Sequence, residues 1–270
     1  MIIVGFSGYA RCGKDTAADY LAERYGFEHR AFADKLRDAL YVLNPIVVLP
    51  HKRLFGRASR LVRVRDFVNA RGSTNLPETV ASEIARLRQL FITKVGPCIL
   101  GMELTRDVVE KLLYALNPIV VLPHKRLFGH VPELVRANDF VTTYGYERAK
   151  EIQPELRALL QRLGTEAGRD ILGENVWVNA CLRDAPERLT ISDTRFTNEA
   201  LTIKARGGIV VRVSRPGYGP INDHSSETGL ESFDFDARIE NDSTLADFYR
   251  KIDVLVSTIN GVGGNGPHAT

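Results

Sequence analysis

Cysteine is scarce in this chain: three residues in 270, Cys12, Cys98 and Cys181. Their odd number and wide spacing exclude a disulfide framework and offer no metal-ligand pattern, so a reducing cytosol fits best. Long hydrophobic runs are missing too, and no stretch approaches the roughly 18 apolar residues of a membrane helix. Met1-Ile-Ile-Val-Gly-Phe-Ser7 lacks the basic start of a signal peptide and reads as a buried strand. Neither a collagen-like period nor the apolar poverty of disorder is present, since 44% of residues are hydrophobic and 26% charged. What remains is an ordinary globular composition, enough for one large core or two modest ones.

The net charge is +3, and it is unevenly spread. Tyr41–Gly56 returns almost unchanged as Tyr114–Gly129, and the likeness continues to Val68 and Val141, at a constant offset of 73. Of the 28 positions in each copy, 21 are identical. Two copies of a proline-punctuated segment do not make a solenoid, which needs about three units. The pattern reads as a tandem duplication that inserted residues 57–129. That stretch has 12 basic against six acidic residues, a net of +6, which leaves −3 for the rest. The basic balance therefore belongs to the insert and does not argue for nucleic acid. Between Arg57 and Lys111 helix-like pieces are visible but no core of their own. The second copy is expected to join the core, with the intervening stretch peripheral.

Elsewhere strand and helix patterns alternate. Ile2–Ser7 is an apolar strand, followed by a glycine turn and a helix over Lys14–Tyr25. A short strand is expected at Ala31–Ala33, a helix from Asp34, and an amphipathic helix from Pro154 with Leu156, Leu159, Leu160 and Leu163 on one face. Leu189–Ser192 and Gly208–Val213 read as strands, Asn198–Ala205 and Leu245–Ile259 as helices, and 260–270 as a frayed tail. This alternation predicts an α/β fold with a mostly parallel sheet flanked by helices. The expected organisation is one domain over 1–259, interrupted at about 57–129, and a flexible tail.

The strongest chemical signal is Gly8-Tyr-Ala-Arg11-Cys-Gly13-Lys14-Asp15-Thr16. It has P-loop spacing, with a strand before it and a helix after. Glycines let backbone N–H groups turn toward phosphate oxygens, and the helix N-terminus adds its positive dipole end. Lys14 then supplies a point charge for the β- and γ-phosphates. Asp15 occupies the place where Ser or Thr usually ligates Mg²⁺, with Thr16 one position later. Asp193 ends a predicted strand, where ligands bind in open α/β sheets; it is a candidate Mg²⁺ ligand or, alternatively, a helix cap. Arg195 could clamp a transferring phosphoryl group. Arg157 and Gln161 share one helix face and would suit a nucleotide's phosphate and base edge, although a solvated face explains them equally well. Asp34, Lys35 and Arg37 are similar acceptor candidates. Asn222–Glu227 has the composition of a mobile lid, and its His224 reads as a loop residue rather than a metal ligand.

Taken together, Gly8–Thr16, Phe32-Ala-Asp34, Leu160-Gln-Arg-Leu-Gly-Thr165-Glu166-x-Gly-Arg169, Ser192-Asp-x-Arg-Phe196, His224-x-Ser-Glu227 and Ile239-Glu-Asn241 resemble the deoxynucleoside monophosphate kinases of bacteriophages. The match covers residues 1–46 and 130–259. It implies a P-loop nucleoside monophosphate kinase fold and ATP- and Mg²⁺-dependent phosphorylation of deoxynucleoside monophosphates. The Lys14-Asp15-Thr16 order is usual in that family. Ser225 stands where proline is common, and Cys12 replaces a usual serine.

The resulting expectation assigns Lys14, Arg169, Arg195 and Asp193 to catalysis. Gly8, Arg11, Gly13, Lys14, Asp15, Thr16 and Asn241 are expected at ATP. Asp34, Lys35, Arg37, Arg157, Gln161, Thr165 and Glu166 are expected at the acceptor, and Asp15, Thr16 and Asp193 at the metal. The expected partner is a deoxynucleoside monophosphate substrate, with no nucleic acid and no membrane; a homodimer is compatible, and the location is cytoplasmic (the host's if phage-encoded). Two other readings carry weight: a related small-molecule kinase such as a dephospho-coenzyme A kinase, and a nucleotide-binding protein inactivated by the insertion.

Overall fold

The computed structural model describes residues 1–48, 61–65, 77–121, 134–219 and 229–262. The lid motif with His224, Ser226 and Glu227, and the tail from 263, lie outside them. The chain forms two compact units, Met1–Ala33 with Cys181–Thr270, and Asp34–Ala180.

In the first unit, strands β1 (Ile2–Ser7), β2 (Glu28–Arg30), β7 (Arg188–Ile191), β8 (Ile209–Ser214) and β9 (Ala237–Glu240) form one sheet in the order β2-β7-β1-β8-β9. Every pairing is parallel. A parallel sheet is covered on both faces, which is why β1 is apolar from Ile2 to Phe6. Val4 and Phe6 pack with Ala17 and Leu21 of helix α1 (Lys14–Tyr25) and Phe248 and Ile252 of α11 (Leu245–Val262). On the other face, Gly5 lies against Ile203 of α10 (Thr197–Ala205), where an added Cβ would be 2.5 Å from Ile203 Cδ1. The α/β reading is borne out. The second strand is not at Ala31–Ala33 but at Glu28–Arg30, because α2 (Phe32–Leu43) already begins at Phe32.

The second unit combines helices with a small antiparallel sheet. In chain order it contains α2, β3 (Ile46–Val48), β4 (Leu61–Arg63), α3 (Glu78–Leu90), a π-helical turn (Phe91–Val95), α4 (Gly96–Leu100), α5 (Arg106–Leu116) and β5 (Ile119–Val121). It continues with β6 (Leu134–Arg136), α6 (Ala137–Tyr144), α7 (Tyr146–Ile152), α8 (Pro154–Arg162), a π-helix (Leu163–Leu172) and α9 (Val176–Leu182). Leu156, Leu159, Leu160 and Leu163 are buried as their spacing predicts.

The expectation that the stretch between the copies is peripheral is overturned. Val80, Ile84, Leu87, Phe91, Val95, Ile99, Val109, Leu112 and Leu116 belong to the same buried cluster as Leu156 and Leu159. The physical reason is an apolar stripe at Val80, Ile84, Leu87 and Phe91 that needs a partner to bury against.

The strand order is β4-β5-β3-β6, and it exchanges strands between the copies. β3 of the first copy pairs with β6 of the second, Ile46 opposite Arg136; β5 of the second pairs with β4 of the first, Ile119 opposite Arg63. The two equivalent isoleucines, Ile46 and Ile119, face each other at the centre. Matching bonds repeat about this point. Arg136 makes a two-pronged contact with Glu83 (2.7 and 3.1 Å), and Arg63 does the same with Glu155 (3.0 and 2.5 Å). Asn44 and Asn117, at equivalent positions, both adopt positive φ, 42° and 45°, and accept the amides of Asn138 and Arg65 on their side-chain oxygens. Burial acts against the Glu83 carboxylate, but hydrogen bonds from Arg86 and Arg136 outweigh it and hold its pKa below the ordinary value.

Candidate active site

The loop between β1 and α1 is shaped by its glycines. Gly8 has φ 149°, and a Cβ there would stand 2.2 Å from the Val213 carbonyl oxygen. Gly13 has φ 109°, and its Cβ would approach Asn241 Nδ2 to 2.8 Å. Arg11 between them is left-handed at φ 64°, a conformation uncommon for a side-chain-bearing residue and typical of tight functional loops. The loop thus curls over the N-terminus of α1, where unpaired amides and the helix dipole favour an anion.

Lys14 is buried, and its ammonium donates to the Tyr9 carbonyl at 2.7 Å, which holds the charge inside the loop. Cys12 is buried beside it. Burial pushes the thiol's pKa up, with the nearby Lys14 charge opposing. Asn241, which follows β9, donates from Nδ2 to the Cys12 carbonyl at 3.1 Å and so ties a distant strand end to the loop.

A cleft of about 310 Å³ opens here, lined by Arg11, Gly13, Lys14, Asp15, Thr16, Arg215, Asn241, Ser243 and Leu245. All the expected ATP residues except Gly8 line it. Arg215, at the end of β8, is an addition that the sequence reading missed; its one signal was its place after a strand that ends beside the loop.

Asp193 is at the carboxyl end of β7 as expected, but its oxygens are engaged. Oδ1 accepts the amide of Phe32 at 2.7 Å and Oδ2 that of Ala33 at 3.0 Å, so the carboxylate caps α2. The cap was anticipated for the helix after Asp193; the structure gives that role to Glu199, which is buried and accepts the amides of Arg195 and Phe196. Arg195 itself is exposed. Replacing Asp193 by alanine should cost about 1–2 kcal/mol of stability through the lost cap, measured by thermal or urea unfolding. A residue that served only a bound metal would leave the melting point of the metal-free protein unchanged.

In the second unit, Asp34, Lys35 and Arg37 occupy the first turns of α2. Asp34 pairs with Arg37 at 3.1 Å, and the Arg37 guanidinium lies 4.8 Å from the centre of the Tyr146 ring. Arg157, Gln161, Thr165 and Glu166 are all exposed, and Arg169 is half-buried. Leu36 of α2 reaches the same segment: a Cβ at Gly164 would stand 3.3 Å from Leu36 Cδ2. Gly168 admits the indole of Trp177, whose Nε1 donates to the Gly164 carbonyl at 2.8 Å. This bond satisfies a carbonyl within the π-helix, a form often found at functional sites.

The sequence model of the deoxynucleotide monophosphate kinase family matches residues 107–252, just over half of the chain. The chain belongs to that family. This kinase is 25% identical over 253 residues to a putative deoxynucleotide monophosphate kinase of Acanthamoeba polyphaga mimivirus, covering 93% of this chain and 94% of the relative. It is 23% identical over 270 residues to the deoxynucleotide monophosphate kinase of Escherichia phage RB69, covering 95% and 100%. To that of Enterobacteria phage T4 it is 25% identical over 261 residues, covering 93% and 97%. The kinase is a phosphotransferase that phosphorylates deoxynucleotide monophosphates. Among its described residues, no helix is long and apolar enough to cross a membrane.

Proposed function

We propose that this kinase moves the γ-phosphoryl group of ATP to the 5′-phosphate of a deoxynucleoside monophosphate, in the presence of Mg²⁺, and that residues 1–259 form the working kinase. The observation that carries the donor half is the closed loop around Lys14, in which glycine geometry, helix amides and a buried ammonium converge on one cleft. Asp15 and Thr16 line that cleft and offer hard oxygen donors, the type that suits Mg²⁺. When bound, the metal would offset phosphate charge as the bond to the leaving oxygen breaks. Asp193 is assigned a structural role, because its carboxylate already accepts the amides of Phe32 and Ala33.

The acceptor needs no general base. The second pKa of a phosphate monoester is about 6, so the attacking oxygen is already largely deprotonated at neutral pH. The protein's work is to bring two anions together and to neutralise the charge that develops. Lys14 and the loop amides hold the donor. Arg37, Arg157 and Arg169, with Lys35, form the cationic set for the acceptor, Gln161 and Thr165 supply hydrogen bonds, and Arg195 steadies the transferring group.

An acceptor panel tests this reading by ADP release. Activity on deoxynucleoside monophosphates, lost on chelation of Mg²⁺, is expected. Activity only on dephospho-coenzyme A, or ATP binding with no ADP from any deoxynucleotide, would overturn it.

A further inference from the structure

The repeat in the second unit is longer than its near-identical stretch. At the offset of 73, α5 matches α2, with Asp107 at the place of Asp34. Beyond the strands, at an offset of 72, Glu83, Leu87, Gln89, Thr93 and Gly96 match Glu155, Leu159, Gln161, Thr165 and Gly168. Ile99-Leu-Gly101 likewise matches Ile171-Leu-Gly173. The backbone agrees with this alignment. Both copies turn π-helical at the matching residue, Phe91 and Leu163, and both segments reach a glycine of positive φ, 72° at Gly101 and 108° at Gly173. Exposure matches as well: Gln89 and Gln161 face solvent, while Gly96 and Gly168 are buried.

The chemistry of the two copies differs. Ala85 stands at the place of Arg157, Lys94 at that of Glu166 and Pro97 at that of Arg169. On α5, Val108 and Glu110 stand where α2 has Lys35 and Arg37. Retention of the cations therefore alternates along the chain. It holds on α2 of the first copy and on α8 with its π-helix in the second; it is lost on α3 with its π-helical turn and on α5.

The strand exchange sorts the chain in the same way. β3, which follows α2, pairs with β6, which leads to α8; β5, which follows α5, pairs with β4, which leads to α3. Side chains agree. Leu36 meets Gly164, and Tyr41 packs edge-on against Tyr146. Glu110, at the place of Arg37, is instead paired with Arg88 of α3 at 2.6 Å.

We infer that the kinase carries one acceptor site, assembled across the exchange from α2 of the first copy and the α8–π-helix arm of the second. The complementary combination, within residues 61–121, is a copy that no longer binds a nucleotide. Its role is mechanical: α5 buries Val109, Leu112, Leu113 and Leu116 and packs along the Leu163–Leu172 π-helix, which carries Thr165, Glu166 and Arg169. This inference rests on the function proposed above and adds which of two matching residue sets performs it.

The test uses the full chain with Gln161→Ala and its counterpart Gln89→Ala, both at exposed positions, with melting temperatures as a check on folding. Loss of one hydrogen bond to the acceptor should raise its KM about tenfold in Gln161→Ala. In Gln89→Ala the KM should stay within about twofold of the unaltered chain, the range of a neutral surface change. Equilibrium dialysis with a deoxynucleotide that the chain phosphorylates, in the presence of a saturating non-hydrolysable ATP analogue that fills the donor cleft, should find one deoxynucleotide bound per chain. Equal KM shifts in the two variants, or two bound nucleotides, would overturn the inference and leave the function standing. No turnover of any deoxynucleotide by the unaltered chain would overturn the function and, with it, the inference.

Discussion

Lys14→Met should lower turnover by about 10³ or more, with the fold retained. The side chain is buried in the loop, with its ammonium 2.7 Å from the Tyr9 carbonyl, so methionine keeps most of the packing and removes the charge. Phosphoryl transfer offers the protein little covalent chemistry, and charge stabilisation is nearly all that it supplies. In a site shielded from water, the loss of one fixed charge is felt in full. Steady-state ADP release at saturating ATP measures it, and circular dichroism checks the fold. A variant with near-normal turnover would exclude the loop as the donor site.

The second large effect concerns the arginines. Removing a clamp on the transferring group should cost about 10³ in kcat, far more than any change in acceptor affinity. Arg195→Ala and Arg169→Ala are the variants to compare. Arg195 is exposed and Arg169 half-buried, so neither substitution empties the core. At least one should fall by this factor at saturating acceptor while its melting temperature holds. If both turn over like the unaltered chain, neither residue acts in the transfer and the clamp lies elsewhere.

These expectations differ in how visible they were beforehand. The loop proposed to hold the donor was legible because its information is local. Two glycines, a lysine and a strand-to-helix junction determine where amides point, and the structure adds only the latch from Asn241 and the cleft wall at Arg215. The face bearing Arg157 and Gln161 was legible for the same reason, since the leucine period defines the opposite side. Asp193 was located but its work was not. A carboxylate at a strand end can hold a metal or cap a helix, and the amides that it receives belong to Phe32 and Ala33, 161 and 160 residues away in sequence.

By itself, the sequence determined the α/β class, the glycine loop between β1 and α1 and the existence of a duplication, because each is written in short-range spacing or direct identity. It could not determine how the copies combine. Nearly identical segments have the same local preferences, so Ile46-Val-Val48 and Ile119-Val-Val121 are equally able to pair with either following strand. Only the tertiary structure decided that each takes the other copy's partner; the repeated pairs Arg136 with Glu83 and Arg63 with Glu155 are alike in both copies, whereas contacts of diverged residues, such as Glu110 with Arg88, differ between them. The same non-local packing turned the stretch between the copies from an expected surface addition into core, because its apolar stripe is buried in one cluster with residues of the second copy.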